Sequence, residues 1–254
     1  MSLTLIGKSA DEAVKARRES AGRNVIASFE ALPDRRLLCF FDDEDWPLLR
    51  GRGMAANRGA HFHSPRWAST PYYVRGHAVP DGRPAFEELI YLHGTTCSND
   101  VSLTMTFAHE MQHFVQHSSA RLLWAANTLA YAMLRNLEPD DFAALGLRAC
   151  DIPFECEARI VAKRVAEKLF GQDFVRRHIE AKAAEHVTEQ DATDWNCIRD
   201  LSSSTRYDLA SETRRFFPKL HRHNSELEKA LRALQLDDEA FRQIDLAVLL
   251  SGEG

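Results

Sequence analysis

Residues 106–115 read Thr-Phe-Ala-His-Glu-Met-Gln-His-Phe-Val, which sets His109 and His113 four apart with Glu110 between them. On a helix, residues four apart lie about one turn apart on the same face. Two imidazoles so placed can reach one metal ion, and the Glu110 carboxylate stands near enough to touch a water on it. Zinc suits such a set, because it takes borderline-soft nitrogen ligands and its catalytic sites keep a fourth position open for water or substrate. The water then ionises near neutral pH, and Glu110 can accept its proton as general base.

The elements around the motif must hold it in that geometry. Neither Pro nor Gly falls between Val101 and Ser118, so one helix can run through it, with Asn99 or Asp100 as the cap. Thr106, Phe107, Met111, Gln112, Phe114 and Val115 are all uncharged. A helix carrying buried ligands needs this, since a charge buried without a partner is costly. H-E-x-x-H is short, however, and the chain has 11 histidines among 254 residues, so a core helix with histidines four apart by accident is the competing reading.

A third ligand has to come from elsewhere in the chain. His117 extends the series, but eight residues beyond His109 its side chain has rotated about 80° away. The metzincin pattern is excluded, because Gln116 and Ser119 stand where it requires Gly and His. The better candidate lies in Pro153-Phe154-Glu155-Cys156-Glu157-Ala158. Pro153 suits a first helical turn and Gly171 a C-terminal stop, which predicts a helix over 153–170. Small residues at Ala158, Ala162 and Ala166 form a stripe that allows close approach of another helix. Glu155 lies one turn before that stripe on nearly the same face. Glu157, about 200° round the helix from Glu155, is the reserve.

With both segments in view, the chain resembles the gluzincins, zinc peptidases with H-E-x-x-H on one helix and a glutamate ligand on a later one. More narrowly, Glu155-x-x-Ala158-x-x-x-Ala162 is similar to the E-x-x-A-x-x-x-A helix of small one-domain gluzincins, including the ImmA/IrrE-like peptidases. The resemblance covers roughly residues 85–170. It implies a Zn2+ cofactor held by His109, His113 and Glu155, with Glu110 as the catalytic base. It also implies a strand at 87–93 that offers its edge to an extended peptide by strand addition. One departure is Arg159, which stands where many gluzincins carry an acid that orients a ligand histidine. That orienting role would then fall to another group, such as Asp151 or a backbone carbonyl. No N-terminal helix-turn-helix of the kind some relatives carry is visible.

The rest of the chain sets bounds on function. Hydrophobic content of 44% and charged content of 27% are those of a globular protein, and a formal charge of −5 gives no reason to expect a nucleic-acid partner. The basic run from Arg214 to His223 reads as a solvated helix face. Five cysteines (39, 97, 150, 156 and 197), odd in number and without C-x-x-C spacing, predict free thiols and a cytoplasmic setting. No apolar stretch has membrane-spanning length, and charges near the N-terminus argue against a signal peptide. The first three and last two residues carry no weight in this reading.

The expected architecture is α+β and mostly helical: one zincin-like domain over 1–254. Residues 1–100 form an α/β part with a helix near 9–30, a strand at 37–41 and a candidate lid loop at 46–83. The acidic run 42–45 reads as a solvated turn, and His61 with His63 as a surface pair. Residues 101–171 supply the metal-binding helices, and 172–254 a helical extension. Further helices are expected at 121–136, 139–147, 172–187, 190–201, 206–217, 224–235 and 237–250. The expected function is zinc-dependent hydrolysis of peptide bonds in a peptide or protein substrate. His178, His186, Tyr131 and Tyr207 are unranked candidates for stabilising the oxyanion. Two alternatives are a zincin-fold regulatory or partner-binding protein with little or conditional proteolysis, and a metal-free helical interaction protein.

Overall fold

A computed structural model of the chain describes residues 2–7, 11–42, 59–62, 88–93, 99–134, 147, 149–185, 189–223, 229 and 232. Those residues are mostly helical, with one small sheet. Two compact units emerge, one comprising Met1–Val115 and Val161–His178, the other Gln116–Ile160 and Ile179–Gly254.

The first unit contains the sheet, with strands β1 (Ser2–Gly7), β2 (Arg36–Asp42), β3 (Gly59–Phe62) and β4 (Glu88–His93) in the order β1-β2-β4-β3. β1, β2 and β4 are parallel, in a register that aligns Leu5 with Cys39 and Cys39 with Ile90, while β3 runs antiparallel to β4. Parallel neighbours need a crossover, and helix α1 (Glu12–Ile26) supplies it between β1 and β2. Asp11 caps α1 by accepting from the Ala13 and Val14 N–H groups, and the helix turns the single stripe Arg18, Gly22 and Val25 inward. Leu37, Leu38 and Cys39 on β2, and Leu89 to Leu92 on β4, are buried without alternation, as befits strands covered on both faces.

Helix α2 (Asp100–Ser119) follows β4 and carries the H-E-x-x-H motif. Its cap is Asn99, whose side chain accepts from the Val101 and Ser102 N–H groups at 2.9 and 3.1 Å. Asp100, the other capping candidate, pairs instead with Arg17 at 3.4 Å. Leu103, Phe107, Met111 and Phe114 anchor α2 in the core and are almost fully buried.

The second unit draws on helices α3 (Arg121–Leu134), α4 (Pro153–Phe170), α5 (Gln172–Ala184), α6 (Glu189–Asp200) and α7 (Leu209–His223), with a short 3-10 turn at Ala149–Asp151. α4 and α5 each begin in one unit and end in the other. Trp124, Ala126, Ala130, Ile152, Phe154, Leu209, Phe216, Phe217 and Leu220 make its core, with Trp124 edge-on to Phe154 at 5.1 Å. Between α4 and α5, Gly171 takes a φ of 87°, the left-handed conformation that closes a helix with least strain when the residue is glycine.

Several expectations need correction. β1 is a strand not expected from the sequence, and only Ser2 and Leu3 of it fall among the residues given no weight. β4 is an inner strand, paired to β2 on one side and β3 on the other, so an extended peptide adding to this sheet would meet an outer strand. Within the expected lid loop, 59–62 is strand β3; the rest of 46–83, His63 included, lies outside the described residues, as do the acidic residues 43–45, the helix expected at 237–250, and those expected at 139–147 and 224–235 apart from residues 147, 229 and 232. α7 does not stop before Pro218. Proline removes one helical hydrogen bond, but Phe216 and Phe217 before it and Leu220 after it are buried and hold the backbone on course. On its outer side Arg215 and Lys219 are exposed, in keeping with a solvated basic face.

The cysteine expectation also changes. Cys150 and Cys197 form a disulfide, while Cys39 and Cys156 are free; Cys97 lies outside the described residues. Disulfides are rare in reducing compartments, so the ground for a cytoplasmic setting falls away. Among the described residues no helix is long and apolar enough to cross a membrane.

The disulfide joins residues 47 apart in sequence. Chain-entropy arguments assign such a closure about 4 kcal/mol, and native disulfides typically contribute about 2–4 kcal/mol. Replacing Cys150 and Cys197 together by serine should lower the unfolding free energy by roughly that amount in a denaturant titration. Thiol counting on the denatured protein should find two more thiols after reduction than before it.

Candidate metal centre

α2 is buried on most sides, and among its partly open positions Ser102, Thr106 and His109 follow one another at spacings of four and three. That spacing traces a single stripe along the helix, and His113, which is buried, continues it by one more turn. The two rings meet edge to face, with centroids 4.5 Å apart, and their Nε2 atoms lie 3.0 Å from each other. For comparison, two nitrogens on one tetrahedral zinc, each about 2.0–2.1 Å from it, stand about 3.3 Å apart.

Glu155, in the first turn of α4, completes the group. One ligand atom from each of His109, His113 and Glu155 can be chosen such that all lie within 4.8 Å of one another. Two imidazole nitrogens and a carboxylate oxygen form a donor set that zinc accepts at catalytic sites. Glu110, directly after His109, is 7% exposed. The residues present therefore fit a small divalent cation in donor type and spacing.

Glu155 is also the centre of a buried charge cluster. Its Oε2 accepts from Arg159 Nη1 at 2.9 Å, and Arg159 Nη2 donates to Asp194 Oδ1 on α6 at 3.2 Å. Arg159 is nearly fully buried. Burial by itself would lower its pKa, but the flanking Glu155 and Asp194 carboxylates prevail and raise it. One guanidinium set against two carboxylates leaves these three groups with a net negative charge, which favours a dication nearby. A carboxylate has lone pairs on both oxygens, so an ion pair through Oε2 does not exhaust Glu155 as a ligand. Arg159, the residue that marked the departure from the gluzincin pattern, thus engages the candidate ligand glutamate.

Glu157 is engaged elsewhere. Its Oε2 accepts from the Gln116 side-chain amide at 2.7 Å, and the same amide donates to the Phe154 carbonyl at 2.9 Å. Gln116 is buried and lies three residues beyond His113, so it ties the end of the motif helix to the backbone next to Glu155. His117 is buried and turns its ring onto Trp124, with centroids 6.0 Å apart.

The four oxyanion candidates separate. His178 on α5 has Nε2 3.0 Å from Ser102 Oγ, on the stripe that carries His109. Ser102 is seven residues before His109, about 10 Å along the axis. Tyr131 packs edge-on to Phe154 at 6.0 Å. Tyr207 hydrogen-bonds Cys156, and burial followed by the Cys156 and glutamate charges drives its pKa far up. His186 lies outside the described residues. Cys156 is itself pushed up, chiefly by burial, which makes it a poor nucleophile at neutral pH.

Gln116, Arg159 and Asp194 were not singled out as site residues by the sequence reading. The Glu155–Arg159 spacing of four is a readable helical ion pair, whereas Asp194 lies 35 residues from Arg159 with no periodic signal linking them.

No protein-family model matches the chain, and neither the curated proteins nor the solved structures compared with it include a match.

The two glutamates should separate experimentally. Glu155→Ala should weaken zinc binding by at least roughly tenfold, the effect expected even of residues that only support a ligand. Glu157→Ala should retain one equivalent of zinc and lose stability by about 1–3 kcal/mol, from the buried Gln116 amide it leaves short of a partner. Elemental analysis and calorimetric titration of both variants check this.

Proposed function

We propose that this chain is a zinc-dependent peptidase of the gluzincin kind, with an α+β zincin-like fold. His109, His113 and Glu155 are its metal ligands, Glu110 its general base, and a peptide or protein its substrate. The observation that carries this reading is the convergence of three donor atoms from positions 109, 113 and 155 within 4.8 Å. An accidental H-E-x-x-H on a core helix gives no reason for a carboxylate from another helix to arrive at the same point.

Zinc bound there would supply a Lewis acid that polarises a substrate carbonyl and acidifies water. The chain's own residues do the rest. Glu110 takes a proton from the attacking water and delivers it to the departing amine, a transfer that suits a carboxylate held in a largely dehydrated place. His109, on the partly open stripe of α2, marks the side from which substrate approaches. His178 lies on that same side, held by Ser102, and is the best placed of the four candidates to meet substrate beyond the reacting bond. Arg159 orients Glu155 by hydrogen-bonding its Oε2.

Glu110→Gln should bind zinc as the parent does and lose hydrolysis by at least about 100-fold, the usual scale for a general base. His113→Ala should lose both the metal and the activity. The measurements are zinc content by elemental analysis and cleavage of a peptide library with and without chelator. One equivalent of zinc with no cleavage of any peptide would favour a binding or regulatory protein, and absence of stoichiometric metal a helical interaction protein. Full turnover by Glu110→Gln would remove that residue from the chemistry.

A further inference from the structure

We infer that Asp194 and Arg159 are positioning residues for Glu155, and that the Cys150–Cys197 disulfide fixes the helix from which Asp194 acts. The inference deepens the zinc reading above and rests on it.

Arg159 and Glu155 lie on the same helix, one turn apart, so their ion pair by itself moves as α4 moves and leaves the guanidinium free to swing. Asp194 removes that freedom. It arrives from α6 and takes the second arm of the guanidinium at 3.2 Å, while the first arm holds Glu155 Oε2 at 2.9 Å. A planar guanidinium engaged at both arms has one orientation, and the carboxylate it holds inherits that orientation. The rotamer entropy of Glu155 and Arg159 is then lost on folding and not at metal binding, which strengthens the binding.

Charge acts in the same direction. Without Asp194, the full positive charge of Arg159 would bear on Glu155 and oppose an incoming dication. With it, that charge is shared between two carboxylates.

What keeps α6 in place is visible nearby. Cys197 is three residues beyond Asp194, about one turn along α6, and its disulfide partner Cys150 sits in the 3-10 turn five residues before Glu155. Both Cys150 and Cys197 are buried, and so is Trp195 between Asp194 and Cys197. Asp194 itself keeps 32% of its side chain accessible, so it can be changed without opening a core cavity.

The test is zinc affinity, read by competition against a chromophoric chelator, together with thermal unfolding of the metal-free protein. Asp194→Ala should raise the zinc Kd by roughly 10- to 100-fold, the range seen when residues that orient metal ligands are removed. Asp194→Glu should recover part of that loss. Arg159→Lys, which keeps the charge but cannot span two carboxylates, should weaken zinc to a similar degree and decides the matter should Asp194→Ala not fold. Asp173→Ala, which breaks an exposed Arg176 pair on α5, should leave affinity unchanged. A parent protein that binds zinc, with Asp194→Ala and Arg159→Lys binding it equally well, overturns the positioning role alone. A parent that binds no zinc overturns the metal reading and this inference with it.

Discussion

A buried carboxylate must be matched by hydrogen bonds and opposite charge, and the arrangement around α4 follows from how that demand is met at Glu155. Only 8% of Glu155 is exposed, so water cannot solvate its charge freely. Arg159 answers it from one turn along the same helix and is shared with Asp194 on α6. The result is a run of alternating charge, Asp194 to Arg159 to Glu155, whose last carboxylate has an oxygen within 4.8 Å of a ring nitrogen of His109 and of His113. Removing one member of a buried ion pair typically costs about 3–5 kcal/mol, because the remaining charge stays behind without its counter-charge. The network is therefore structural as well as chemical.

The same demand explains the construction of α2. A helix with apolar neighbours on most sides can carry polar groups at low cost only where they find partners, and several of its inward polar side chains do. Gln116 donates to a backbone carbonyl and to Glu157, and His117 lies against Trp124. His109 and His113 face each other through ring nitrogens that can share a proton or a metal ion. Glu157, two residues from Glu155, is occupied by Gln116, which leaves Glu155 as the glutamate that meets the histidines.

Elsewhere the chain serves as support. The parallel strands β1, β2 and β4 place a covered, apolar edge-to-edge surface ahead of α2, and Asn99 starts that helix at a defined residue. In the other unit, the aromatic core around Trp124 and Phe154 seats the first turn of α4, where Glu155 begins its approach. Cys150 and Cys197 then bind the 3-10 turn before α4 to α6.

Much of this was legible from residue order alone. The H-E-x-x-H spacing, the unbroken run around it and the choice of Glu155 over Glu157 all depend on a 3.6-residue period, which is a local property of the chain. The helix at 153–170 is equally local, with proline at its start and a left-handed glycine just past its end. What tertiary structure alone decided is every pairing between distant segments. β1 was not recognised because six residues read as a strand only when β2 lies beside them. The inner place of β4, the union of Cys150 with Cys197 and the meeting of Arg159 with Asp194 likewise have no periodic signature. Such contacts are selected by the burial of whole elements against each other, a sum over many side chains that no short stretch of sequence displays.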